Sequence, residues 1–141
     1  MKKLSLISII LVSSLLYTSA IFARDVASVA KSSGDGRLIR RYQKKVCKAQ
    51  GGVSDMQLRD GTKVDCLTGR LAIVFVMADE WESSLAKSLD QAALSGRKPA
   101  ITLITIDKPS CKYKMKLRNL INHYALAISL RSVGDGDCFD N

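Results

Sequence analysis

The stretch that decides the fold is DGTKVDCLTGRLAIVFVM, residues 60–77. Its Asp60-Gly61 pair is a strong hairpin signal, because glycine accepts the positive φ that tight turns require. The turn predicts antiparallel strands over Val53–Leu58 and Lys63–Thr68. Seven apolar residues in succession, Leu71–Met77, then predict a strand buried on both faces. This strand is expected at the centre of the sheet.

A basic amphipathic helix is predicted before the hairpin. Leu38, Tyr42, Val46 and Ala49 follow helical spacing, and the glycine pair at 51–52 ends the helix. Most of the other positions are cationic. The helix should therefore bury one face and expose a positive one.

Two further helices and two further strands are predicted after the apolar strand. Asp79 and Glu82 match a capping box for the first helix, and Ser110 is expected to cap the second. The predicted buried stripes are Trp81, Leu85, Leu89, Ala92 and Ala93 in the first helix, and Tyr113, Leu117, Leu120, Ile121 and Tyr124 in the second. The strands are predicted over residues 100–106 and 125–133.

The predicted order is helix, hairpin, strand, helix, strand, helix, strand. Helices that connect successive strands imply right-handed parallel crossovers. We therefore expect an α/β fold with a mixed, roughly five-stranded central sheet flanked by helices.

The N-terminus has the composition of a secretory signal peptide. Two lysines precede an apolar core, and small residues follow, with cleavage expected after Ala20 or Ala23. The core is shorter than the roughly 20 residues of a membrane-spanning helix. The predicted divisions are a signal peptide (1–23), a flexible lead-in (24–36) and one domain (37–141), with no membrane span after cleavage and a periplasmic or secreted location.

All four cysteines lie in the exported part, which favours disulfides. Three pairings are possible. The predicted fold favours Cys47 with Cys66 and Cys111 with Cys138, because each pair comes from neighbouring elements. Zinc binding is not favoured, since the spacing is unlike CxxC and His123 is the single histidine.

The chain is basic. Its 22 lysines and arginines include Lys2 and Lys3, which leave with the signal peptide, so the remaining 20 exceed the 13 acidic residues by seven. Two predicted helices carry much of this charge, and the residues considered for anion contact are Arg40, Lys44, Lys45, Lys114, Lys116 and Arg118. Simple solvation or contact with a protein is favoured over nucleic-acid binding, because no aromatic stacking series accompanies the charge.

The succession of elements resembles the PD-(D/E)XK nuclease superfamily, and more closely a group of small bacterial proteins with a DGTxVDCLT block. The resemblance covers roughly residues 42–131 and includes the Tyr42-Gln43 pair, the glycines at 51–52, residues 60–68 and Lys98-Pro99. It implies a restriction-endonuclease-like arrangement of the sheet and its helices.

The resemblance also implies a metal site that this chain lacks. In active relatives, Asp65 would act with two acids on the next strand, but Val74 and Val76 occupy those positions. Lys87 stands where the relatives offer a glutamine. Hydrolysis with a divalent metal needs several oxygen ligands. We therefore expect no catalytic residues, metal or cofactor, and we expect Asp65 to pair with Lys63 or Lys87.

These observations favour an exported, catalytically inactive nuclease-like domain that binds a protein partner or has a structural role in the bacterial envelope. A secretion or conjugation assembly is one setting considered. The alternative is a nucleic-acid-binding protein or a weak metal-dependent nuclease.

Overall fold

The computed structural model describes residues 35–135 and Cys138. The predicted signal peptide and residues 24–34 of the predicted lead-in lie outside the described residues. From Leu38 onward the described residues belong to one compact unit. Among the described residues, no helix combines the length and apolar character needed to cross a membrane.

Five strands form one mixed sheet in the order of the chain. They are β1 (Val53–Gln57), β2 (Lys63–Leu67), β3 (Leu71–Met77), β4 (Lys98–Ile104) and β5 (Ser129–Val133). The first three strands are antiparallel neighbours, and β3, β4 and β5 run parallel. The predicted mixed α/β architecture and the central position of β3 are confirmed.

Within the described residues three α-helices accompany the sheet: α1 (residues 35–49), α2 (Trp81–Ser95) and α3 (Cys111–His123). Helix α1 begins at Asp35, two residues inside the predicted lead-in. It ends at the predicted glycine pair, where Gly51 has a φ of 65°. The amide of Gly52 donates to the carbonyl of Cys47 and closes the last turn.

The two sides of the sheet bury alternate residues of β3, as the period of two in a strand requires. Ile73 and Phe75 pack with Cys47 of α1. Val74 and Val76 pack instead with Leu117 and other residues of α2 and α3. The sheet therefore lies between α1 on one face and the other two helices on the opposite face.

The predicted N-cap residue is wrong for α2, where Glu80 takes that position, and correct for α3, where Ser110 takes it but makes no side-chain cap hydrogen bond. Met77 leads directly into a 3₁₀ turn, Ala78–Glu80, so Asp79 lies within the turn and Glu80 precedes α2 without a side-chain cap hydrogen bond. Before α3, the carboxylate of Asp107 accepts from the amide and hydroxyl of Ser110. Ser110 is thus a donor at this site, and Asp107 caps the turn Lys108–Ser110 that leads into the helix.

The buried face of α2 also differs from the prediction. Leu89 is 43% exposed and Ala93 is exposed, whereas Ser84 and Ser88 are fully buried. The two serine hydroxyls donate to the carbonyls of Trp81 and Leu85 in the preceding turn. A serine whose hydroxyl is satisfied within its own helix can face the core without an unpaired polar group.

The last two strands are displaced from their predicted positions. Strand β4 starts at Lys98, with Pro99 beside Ala72, which a proline tolerates near the start of a strand. Strand β5 starts only at Ser129, because Ala125 has a φ of 48° and turns the chain after α3.

Candidate functional site

The carboxylate of Asp65 on β2 forms an ion pair with Lys87 on α2. The Lys87 Nζ lies 2.9 Å from each of the two carboxylate oxygens. The Asp65 side chain is 17% exposed and that of Lys87 is 45% exposed. Of the two lysines considered from the sequence, Lys87 is therefore the partner.

Asp65 also has a role in the backbone of the sheet. The amide of Phe75 donates to Asp65 Oδ2 at 3.0 Å. The paired residues of β2 and β3 run only from Leu67↔Ala72 to Cys66↔Ile73. The side chain of Asp65 thus supplies the acceptor for an amide of β3 at the point where the paired backbone ends.

Gln43 of α1 approaches the same residue from the other face of the sheet. Its side chain is 5% exposed, and its amide nitrogen donates to the backbone carbonyl of Asp65 and to Asp55 Oδ1. Asp55 has a φ of 54°, which breaks the regular extension of β1. The sequence pointed to Gln43 only through the resemblance, and no role was predicted for it.

Val74 and Val76 lie in the apolar core between the sheet and helices α2 and α3. Val74 is fully buried and Val76 is 6% exposed. Around them are Ile101, Leu103 and Leu117. The positions where the resemblance calls for metal-binding acids are therefore filled by packed aliphatic side chains.

The arrangement holds two carboxylates, and both already have partners: Asp65 has the Lys87 ammonium and the Phe75 amide, and Asp55 accepts from Gln43. Within residues 35–135 and Cys138, no group of three or more His, Cys, Asp or Glu side chains is placed to hold a metal ion. The chemistry that Asp65 performs in this structure is ion pairing and hydrogen-bond acceptance.

The residues considered for anion contact differ in their exposure to solvent. Arg40, Lys44 and Lys45 on α1 are exposed, and so is Lys116 on α3, whereas Arg118 is half-buried. Lys114 was also considered for anion contact, but its side chain is not on the surface. It is 3% exposed, and its Nζ donates to the carbonyl of Cys138 at 3.1 Å. The Cys111–Cys138 disulfide holds this acceptor beside α3, so Lys114 belongs to the folded interior.

The predicted disulfides are present as Cys47–Cys66 and Cys111–Cys138, with Cα–Cα distances of 5.7 Å and 5.4 Å. The first joins α1 to β2, directly beside Asp65. The second joins the start of α3 to Cys138. The even number of cysteines and the predicted order of elements were sufficient to choose this pairing.

A second surface feature is an open groove of about 530 Å³ beside the end of α3. Its lining residues are Trp81, Lys116, Asn119, Leu120, His123 and Tyr124. Tyr124 was predicted to face the core, but it is 65% exposed, because α3 ends at His123 and the chain turns there. Trp81 contacts the core and the groove together.

None of the protein families, curated proteins or solved structures compared with the chain matches it.

Proposed function

We propose that the chain is an exported, non-catalytic binding module with a nuclease-like α/β architecture, and that its ligand is a protein of the bacterial envelope. One observation carries the non-catalytic part of this proposal. The ammonium group of Lys87 lies against both oxygens of Asp65, the carboxylate that the resemblance assigns to a metal site. A metal ion at Asp65 would have to displace that cation.

The packing of the neighbouring positions supports the same proposal. Val74 and Val76 offer no oxygen ligand, and both contribute to the core. A hard cation such as Mg²⁺ is usually bound through carboxylates and water. Substitutions that strengthen the core at a former ligand position are what we expect of a scaffold retained for its shape.

The two disulfides support the proposed location outside the cytoplasm. Disulfides persist mainly in secreted, periplasmic and extracellular proteins. One disulfide joins α1 to β2 and the other joins α3 to Cys138, and such covalent links stabilise a small domain. Such a domain suits a structural or binding role in an exported assembly, for example a secretion or conjugation apparatus.

The non-catalytic part is tested by incubating the purified protein with DNA and RNA in Mg²⁺ or Mn²⁺. We expect no cleavage beyond that of a matched Asp65→Asn preparation. Metal-dependent cleavage that is lost on substituting Asp65 would overturn the proposal. Cleavage that is equal in both preparations would indicate a contaminant.

The binding part is tested by crosslinking in intact cells, followed by extraction of the periplasm and identification of the captured species. A matched strain that expresses the chain without residues 1–23 provides the control. We expect a defined protein adduct only in the exporting strain. Recovery of nucleic acid as the specific adduct would favour the alternative function.

A further inference from the structure

Helix α1 carries six exposed cations, and the five that follow Leu38 are hereafter called the α1 stripe. Its members are Arg40, Arg41, Lys44, Lys45 and Lys48, all of them exposed. Their spacing of one, three, one and three residues keeps them on one side of an α-helix. At 1.5 Å per residue the row is about 12 Å long. The positively charged side chains therefore form an unbroken row along the helix.

Two buried side chains fix the rotation of this helix. Gln43 and Cys47 are four residues apart and lie on the same face of α1. Gln43 donates to Asp55 and to the backbone of Asp65, and Cys47 is bonded to Cys66. Ile39 and Val46 pack against the adjoining core. The α1 stripe is thus held towards solvent by a covalent bond and by buried hydrogen bonds.

The second basic helix does not present a comparable row. In α3, Lys114 is buried and Arg118 is half-buried. The Nζ of Lys112 lies 4.8 Å from the ring centroid of Tyr113, a cation–π distance. Lys112 and Lys116 remain exposed. Of the two basic helices, α1 therefore presents the longer row of exposed cations, although the two look alike in sequence.

We infer that the α1 stripe is the docking surface for the protein partner, and that the partner presents a complementary row of carboxylates. This inference rests on the proposed function for the existence of a protein partner. The arginines of the stripe can form bidentate pairs with carboxylates, and the lysines add charge attraction. Acidic side chains three and four residues apart on a helix of the partner would form a row with the same spacing as the α1 stripe.

The surroundings of the stripe favour an acidic protein over the other common polyanions. The aromatic residue of α1 within the stripe's span, Tyr42, is partly buried, so it offers no open platform for stacking nucleic-acid bases. The apolar residues Ile39 and Val46 are engaged in the core. A helix that binds a lipid surface normally inserts such apolar residues.

The test compares two charge-reversed variants of the exported protein. Lys44→Glu/Lys45→Glu alters the stripe, and Lys112→Glu/Lys116→Glu makes the same change of charge on α3. Lys114 is left unchanged because it is buried. Circular dichroism and urea unfolding verify that both variants are folded. Binding is measured by fluorescence anisotropy with an oligo-glutamate peptide and a single-stranded oligonucleotide of equal charge, and by sedimentation with phosphatidylglycerol vesicles.

We expect oligo-glutamate to bind the wild type and the α3 variant similarly, and to bind the stripe variant roughly tenfold more weakly. Equal losses in the two variants would mean that net charge alone is responsible and would overturn the inference. Failure of the wild type to bind oligo-glutamate, or stripe-dependent preference for the oligonucleotide or the vesicles, would also overturn it.

Crosslinking in cells separates this inference from the proposed function. If the stripe variant loses the protein adduct and the α3 variant keeps it, the inference is supported. If both variants keep the adduct, the protein-binding function stands and the assignment to α1 is wrong. If the wild type itself yields no protein adduct, the proposed function is what has failed.

Discussion

Lys87 and Asp65, 22 residues apart in sequence, meet with the lysine Nζ 2.9 Å from both carboxylate oxygens. The same carboxylate accepts the amide of Phe75. These two contacts differ in their expected energies. The ion pair is partly open to solvent, whereas the amide of Phe75 belongs to a residue that is 2% exposed.

Asp65→Ala should lower the free energy of unfolding by about 1–3 kcal/mol, because a buried amide loses its acceptor. Lys87→Ala should cost only about 0.5 kcal/mol, since a solvent-exposed pair contributes little. Urea unfolding of both variants and of the double variant measures the two contributions and their coupling.

Asp65→Asn provides the matched control for this prediction. Its side-chain oxygen can still accept from Phe75, but it has no charge to pair with Lys87. We expect its stability to lie close to that of Lys87→Ala. If Asp65→Ala were no more destabilising than Lys87→Ala, the backbone role of Asp65 would be contradicted.

Gln43→Glu should be more destabilising than Gln43→Ala. Truncation removes two hydrogen bonds from a buried site and should cost about 1–3 kcal/mol. The glutamate adds repulsion, because a carboxylate would face the carboxylate of Asp55 and the carbonyl of Asp65. Thermal or urea unfolding measures the order. Lys44→Ala, on the exposed side of the same turn, should stay within about 0.5 kcal/mol of the wild type.

Gly52→Ala should destabilise the protein through the neighbouring disulfide. A Cβ at this position would lie 2.8 Å from the sulfur atoms of both Cys47 and Cys66. Such a steric conflict typically costs about 1–3 kcal/mol. Part of the penalty should vanish when both cysteines are replaced by alanine, although the carbonyl of Leu67 at 3.0 Å remains.

A double-mutant comparison by urea unfolding tests this coupling. Gly69→Ala is the control, because a Cβ there would have no heavy atom within 4 Å. An equal cost for Gly52→Ala with and without the disulfide would show that the sulfur atoms are not the obstacle.

Asp107 should make α3 more stable near neutral pH than in acid. Two hydrogen bonds hold the pKa of the Asp107 carboxyl below its ordinary value of 3.8. The bond from the Ser110 hydroxyl has the larger effect, and the bond from the Ser110 amide has the smaller one. A lowered folded-state pKa gives stabilisation that is present above the ordinary value and is lost as the pH falls through the folded-state pKa.

Urea unfolding of the wild type and of Asp107→Ala, from neutral pH down into acid, checks the direction of this pH dependence. The difference in unfolding free energy between the two proteins should shrink on acidification. A difference that stayed constant from neutral pH into acid would show that the ionised carboxylate is not what stabilises the turn.

The sequence by itself determined the local order of the chain. The hairpin, the limits of β3 and the end of α1 follow from short signals: Asp60-Gly61 for the turn, the seven apolar residues, and the glycine pair. Turn geometry and continuous apolar character act over a few residues. The even cysteine count, combined with the predicted order of elements, was enough to choose both disulfides.

Only the tertiary structure decided which polar side chains are buried. Ser84 and Ser88 face the core in place of Leu89, and Lys114 is buried although its neighbours Lys112 and Lys116 are exposed. Periodicity reports the average preference of a residue type. Burial of one side chain depends on which distant element approaches it and whether that element supplies a hydrogen-bond partner.

In the candidate site, too, some features were predictable from the sequence and others only from the tertiary structure. The absence of acids at Val74 and Val76 was readable from the sequence, and so was the presence of Asp65. The choice of Lys87 over Lys63, and the use of Gln43 as the buried link between α1, β1 and β2, required the packed structure. Each of these contacts joins segments brought together by folding, so local sequence patterns could not specify them.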